Sequence, residues 1–119
     1  MIPSVPVISD ARYDAVNNRV VITVEPCEGA EKFSVTRCNH PALLYGEWLP
    51  ALRFVDATGD QQVFYDYTAP LNSQVRYRVL SYAERADGML LAGKNYSNEV
   101  VVDIIPDQGC YFSKYQFDG

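Results

Sequence analysis

Residues 63–79 read Val-Phe-Tyr-Asp-Tyr-Thr-Ala-Pro-Leu-Asn-Ser-Gln-Val-Arg-Tyr-Arg-Val: a strand, a corner, and a second strand entered through a tyrosine. Leu71 stands six residues before Tyr77, the spacing at which a corner leucine packs beneath a tyrosine whose hydroxyl bonds back to the backbone a few residues upstream. Such a corner is the mark of a β-sandwich. Leu71 and Tyr77 are therefore read as structural residues, and the segment carries no chemistry.

The rest of the chain supplies strands at sandwich spacing. A first strand is expected at 11–14, ending at the turn signal Asn17-Asn18. The clearest is 19–25, where Val20, Ile22 and Val24 share one face and Arg19, Thr23 and Glu25 the other, and Pro26 stops it. A third at 33–37 turns Phe33 and Val35 inward. A short edge strand is expected around Trp48 and Leu49, bounded by Gly46 and Pro50. A fifth spans 63–67, and a sixth at 75–83 places Val75, Tyr77, Val79 and Ser81 on one face. Asp87-Gly88 follows as a hairpin turn signal, and the last strand is expected at 97–104. Seven short strands with no helical stretch to carry parallel crossovers give an all-β, two-sheet antiparallel arrangement.

Length and charge narrow the partners. A chain of 119 residues holds one such domain and no second. A formal net charge of -5 argues against nucleic acid, whose binding needs clustered Lys and Arg. No stretch approaches the ~20 apolar residues of a membrane span, so no membrane insertion is expected. The opening Met1-Ile2-Pro3-Ser4-Val5-Pro6 lacks the basic head and apolar run of an export signal, which implies synthesis in the cytoplasm without a signal peptide. Three cysteines, an odd number, exclude a closed disulfide framework and imply free thiols.

Four pieces together resemble a fibronectin type III domain: residues 20–26 ending in Glu-Pro, residues 33–37, the corner at 71–79, and the closing Tyr96-Ser97-Asn98-Glu99-Val100-Val101-Val102. The likeness covers 5–105 and implies an immunoglobulin-like sandwich over 1–105, with an aromatic tail or linker at 106–119. Val24 stands where many members carry a core tryptophan, and 72–74 lacks the usual corner proline. A narrower resemblance is to the fibronectin-type-III-like modules of minor tail proteins in long-tailed phages of actinobacteria. It rests on Tyr13-Asp14-Ala15 through Asn18-Arg19-Val20, on residues 65–71, and on the Gly-Cys-Tyr-Phe run after the last strand. That resemblance implies a virion structural part, in a tail or tail tip, engaged in assembly or host contact. Its partners would be other virion proteins, further copies of itself or a host cell-surface component, and it brings no catalytic residues. The rival readings are a capsid decoration or glycan-binding module, with Trp48 and Tyr45 as its aromatic site, and an accessory domain of a secreted bacterial hydrolase or adhesin.

No constellation of residues outweighs this reading. Cys27, Cys38, Cys110 and His40 make a zinc set only on paper, because Cys27 and Cys38 lie at opposite ends of the third strand, about five residues at roughly 3.3 Å each. Asp56 to Asp60 offers too few alternating oxygens for calcium. His40 precedes Pro41 in a loop with no nucleophile beside it. No catalytic residue, metal site or cofactor is expected. Arg76 and Arg78 face away from the inward side of their strand and read as a solvated face, with a partner contact as the lesser alternative. Met89, Leu90 and Leu91 either form an interaction site beyond the turn or extend the hairpin. Tyr111, Phe112, Tyr115 and Phe117 in the tail are candidate interaction residues.

Overall fold

The computed structural model describes residues 2–39 and 47–105. Among them are β1 (Ile8–Asp14), β2 (Arg19–Val24), β3 (Lys32–Cys38), β4 (Trp48–Asp56), β5 (Gln62–Asp66), β6 (Ser73–Glu84), β7 (Leu90–Ala92) and β8 (Val100–Ile104), with no helix. One sheet has three strands in the order β1-β2-β5. The other has five: β4-β3-β6, with β7 and β8 sharing the remaining edge of β6. Every pairing is antiparallel. The antiparallel β-sandwich implied by the strand pattern is therefore the fold of the chain.

Alternation selects the core. Val20, Ile22 and Val24 of β2, Val35 of β3, Val75, Tyr77 and Val79 of β6 and Ile104 of β8 are completely buried. Each aliphatic side chain removed from water in this way contributes about 1.5–3 kcal/mol. Phe33 and Phe64 meet edge-to-face between the sheets, with centroids 5.9 Å apart at 78°.

The N-terminal segment straps the two sheets together. Ser4 donates its N–H to the Glu28 carbonyl at 2.9 Å, and its own carbonyl accepts from Ser81 Oγ at 2.8 Å and Cys27 Sγ at 3.1 Å. Asn98 then imitates a strand partner. Its Oδ1 accepts from Ile8 N at 2.8 Å and its Nδ2 donates to Ile8 O at 3.0 Å. The gap between β7 and β8 is closed against β6 in a similar way, by Gly93 N to Ser81 O and Ser97 N to Val79 O, each 2.8 Å. The approach at Gly93 is close: a Cβ there would lie 2.8 Å from Ser81 Oγ, and that side chain would have to shift.

Several sequence expectations change. The described residues form eight strands, because residues 90–92 pair with 82–84 across the turn at Gly88, whose φ is 85°. The strand around Trp48 runs nine residues, through Pro50 to Asp56. Pro50 is tolerated because β4 is an edge strand with no neighbour on its outer side among the described residues, and because the ladder slips on either side of Val35. β1 starts three residues earlier than expected, and β8 starts three residues later. Leu71 does not pack beneath Tyr77: it is 49% exposed. The corner is instead closed by hydrogen bonds, from Asn72 N to Ile104 O at 2.7 Å and from Ser73 Oγ to Pro70 O at 2.6 Å. Asn72 takes the left-handed conformation (φ 58°) that such a turn requires.

Candidate functional site

Between the sheets, where sandwich cores are normally apolar, β3, β5 and β6 bring together a charged network. Arg37 and Tyr77 are cross-strand partners on β3 and β6 and point inward; Asp66 lies on the inner side of β5 with Phe64. Asp66 Oδ2 accepts from Arg37 Nη1 at 2.7 Å and from the Tyr77 hydroxyl at 2.6 Å. Its Oδ1 accepts from Thr68 Oγ1 at 2.6 Å and Thr68 N at 3.0 Å. The guanidinium reaches on to Thr68 Oγ1 at 2.7 Å and Asn39 Oδ1 at 2.6 Å.

Burial alone would push the Asp66 carboxyl up, but the bonds from Thr68, Tyr77 and Arg37 outweigh it and hold the group below the ordinary carboxylate range. Burial and the neighbouring carboxylate drive the Tyr77 phenol far upward. Four donors saturate the carboxylate, so it has no lone pair to lend to a substrate. The tyrosine of the corner therefore bonds to a side chain on the opposite sheet, not to backbone upstream. The network is architectural.

The surface chemistry lies on the outer face of the five-stranded sheet. Arg78 on β6 is not a solvated side chain as expected. Its guanidinium carbon sits 4.0 Å from the Trp48 ring centroid and 3.7 Å from that of Tyr96, between the two rings. Its Nε is buried with no hydrogen-bond partner. Arg76, two residues earlier, pairs with Glu99 at 3.1 Å. Next to the stack is a groove of about 200 Å³ lined by Ser34, Thr36, Trp48, Pro50, Phe54 and Tyr82, among others. Phe54 is held there by its N–H to Ser34 Oγ at 3.2 Å and by an edge contact to Tyr82 at 5.1 Å. Its φ of 51° is a strained value for an aromatic residue.

The outer face of the smaller sheet carries a self-contained cluster. Arg19 lies 4.0 Å over Tyr65, donates to the Tyr67 hydroxyl at 3.0 Å and pairs with Asp14 at 3.2 Å. Two larger hollows, near Lys32 and Glu84 and near Gln74 and Asp103, are open to solvent, and Lys32 is already engaged by Asp56 at 2.6 Å.

The sequence candidates are scattered. Leu90 and Leu91 are half-buried in the β6–β7 hairpin, and Met89 is 61% exposed at its turn. Cys27 and Cys38 are free thiols, and among the described residues no His, Cys, Asp or Glu cluster could hold a metal ion. His40, Tyr45, Cys110, Tyr111, Phe112, Tyr115 and Phe117 lie outside the described residues. The network leaves a signal in the sequence. Arg37 shares parity with Phe33 and Val35, and Asp66 shares it with Phe64, so opposite charges stood at inward positions of two strands. Nothing local could have joined Trp48, Arg78 and Tyr96, which are far apart in sequence.

Solved structures share this sandwich. An Fn3-like protein from Clostridium thermocellum superposes with a TM-score of 0.63 at 18% identity, covering 90% of this chain and 97% of that one. The fold is fibronectin type III-like. The twitchin kinase region of C. elegans, which contains such a domain, matches at a TM-score of 0.50 and 16% identity over 90% of this chain and 17% of that one. No family model matches the sequence, and no curated protein does. At these identities the kinship is one of fold.

Proposed function

We propose that the chain is a non-catalytic docking module of a virion, carried in a phage tail, and that it meets its partner through the outer face of the five-stranded sheet. The observation that carries the docking reading is the groove bounded by Trp48, Phe54 and Tyr82, with Arg78 stacked beside it. Trp, Tyr and Arg are the residues that most often anchor protein interfaces. Phe54 adds strain: a 45% exposed aromatic kept at φ 51° serves the face better than it serves the monomer. Support for the tail assignment comes from the likeness of the segments at 13–20 and 65–71 to minor tail proteins.

Two measurements test this reading. Antibody against the chain should label gradient-purified particles at the tail in negative stain, and a chain absent from particles, or found on the head, would reject the tail assignment. The double variant Phe54→Ser, Tyr82→Ser should fold yet fail to incorporate. Normal incorporation of that variant would reject the docking face.

A further inference from the structure

The arginines of this chain divide into two groups. Arg12, Arg19, Arg37, Arg76 and Arg85 each have a carboxylate within 3.4 Å, supplied by Asp10, Asp14, Asp66, Glu99 and Asp87. Arg53 and Arg78 have none among the described residues, in a chain of 15 acidic residues and net charge -5. Both border the same groove: Arg53 lines it, and Arg78 adjoins it through Trp48 and its cross-strand partner Thr36. Of the residues outside the described ones, 40–46 (His-Pro-Ala-Leu-Leu-Tyr-Gly) contain no acid, and 106–119 contain Asp107 and Asp118.

We propose that Arg78, with Arg53, receives the carboxylates of an acidic segment of a partner protein laid across this groove. The stack between Trp48 and Tyr96 holds the guanidinium plane in place, and neither Nη has an acceptor among the described residues. A guanidinium fixed in this way loses little freedom on accepting a planar carboxylate in a two-bond fork. A protein side chain fits better than a sugar: the Trp48 and Tyr96 faces a sugar ring would stack on are occupied by Arg78, and about 200 Å³ matches one side chain. Strand addition at the neighbouring edge is blocked by Pro50 and the irregular β4 register, so the segment docks on the face. This inference rests on the docking reading above and adds the chemistry of what is bound.

Trp48 is the only tryptophan, so its emission reports on the site directly. The probes are the blocked peptide Ser-Glu-Leu-Glu-Ser, its Gln-for-Glu counterpart, and free glucuronate, each titrated into the whole chain. A saturable change is expected with the Glu peptide. The Gln peptide should bind at least about tenfold more weakly, Arg78→Gln should abolish the preference, Arg78→Lys should retain part of it, and glucuronate should be the weaker anion. Arg53→Gln, at an exposed position, should weaken binding whether or not Arg78→Gln folds. Equal binding of the two peptides, or an unchanged preference in the arginine variants, would overturn the carboxylate site. Stronger binding of glucuronate would overturn the protein partner. Silence with the Glu peptide would overturn this site alone, because the incorporation test of Phe54 and Tyr82 decides the docking face separately.

Discussion

The hydroxyl of Tyr77 donates to the Asp66 carboxylate at 2.6 Å across the gap between the two sheets. Tyr77 is fully buried and Asp66 nearly so, which makes this bond and the Arg37 pair beside it the charged rivets of the interior. Tyr77→Phe should keep the fold and cost about 1–3 kcal/mol, the loss of one donor to a buried charge. Urea melts would show this as a lower midpoint with an unchanged slope. An unchanged midpoint would mean that the phenol is solvated.

Removing the acid instead should be worse. Asp66→Asn leaves Arg37 buried without its counter-charge, and breaking one side of such a pair costs about 3–5 kcal/mol. The double replacement Arg37→Met, Asp66→Leu should recover much of that loss, because both charges then leave together. A double variant no better than Asp66→Asn alone would show that the network does more than neutralise itself.

The same groups set two limits on stability with pH. Because the fold holds the Asp66 carboxyl below its unfolded value of about 3.9, its contribution is complete above that value and is lost as pH falls through the folded pKa. Tyr77 is shifted the other way. Its contribution is complete below the unfolded value of about 10 and is lost as pH rises toward the folded one. Thermal midpoints across pH should therefore fall at both ends, and the alkaline fall should be shallower in Tyr77→Phe than in the parent chain. Identical alkaline limbs would assign that loss to other groups.

How much of this could be read from the sequence depends on how local each signal is. β2, β3 and β6 were legible because alternation over five or more residues leaves little freedom about which face is buried. β4 is expected at an edge but cut short at Pro50, because proline is also a local stop signal and only the missing outer neighbour lets the strand run on through it to Asp56. Leu71 was misplaced because the corner is closed by Asn72 and Ser73 hydrogen bonds that the Leu–Tyr spacing does not encode. The Trp48–Arg78–Tyr96 stack depends on three elements meeting in space, which no periodicity within one of them can disclose.

Ser97 offers a test of how the interrupted edge of β6 is held. Its Oγ accepts from the buried N–H of Val79 at 2.8 Å and donates to the Asn98 carbonyl at 2.9 Å. Ser97→Ala orphans that N–H and should cost about 1–3 kcal/mol. Amide exchange at Val79 should accelerate more than at residues in the centre of β2. Uniform acceleration would point to a global loss instead.

The thiols provide the last test, because their behaviour follows from the strap. Cys27 is partly buried, burial pushes its thiol up, and its Sγ–H is spent on the Ser4 carbonyl at 3.1 Å. Cys27 lies in the connection that leads into β3 and Cys38 at the far end of that strand, and both are free thiols. Alkylation of the native chain without reductant should therefore modify Cys27, slowly at neutral pH and faster as pH rises, with Cys38 protected until the chain unfolds. Loosening the strap with Asn98→Ala, which removes both bonds to Ile8, should speed the reaction at Cys27 while leaving Cys38 protected. Intact-mass and peptide mapping over time would read both sites. A native Cys27–Cys38 disulfide would contradict the topology, and an unaltered Cys27 rate in Asn98→Ala would show that the N-terminal segment is held without the asparagine clamp.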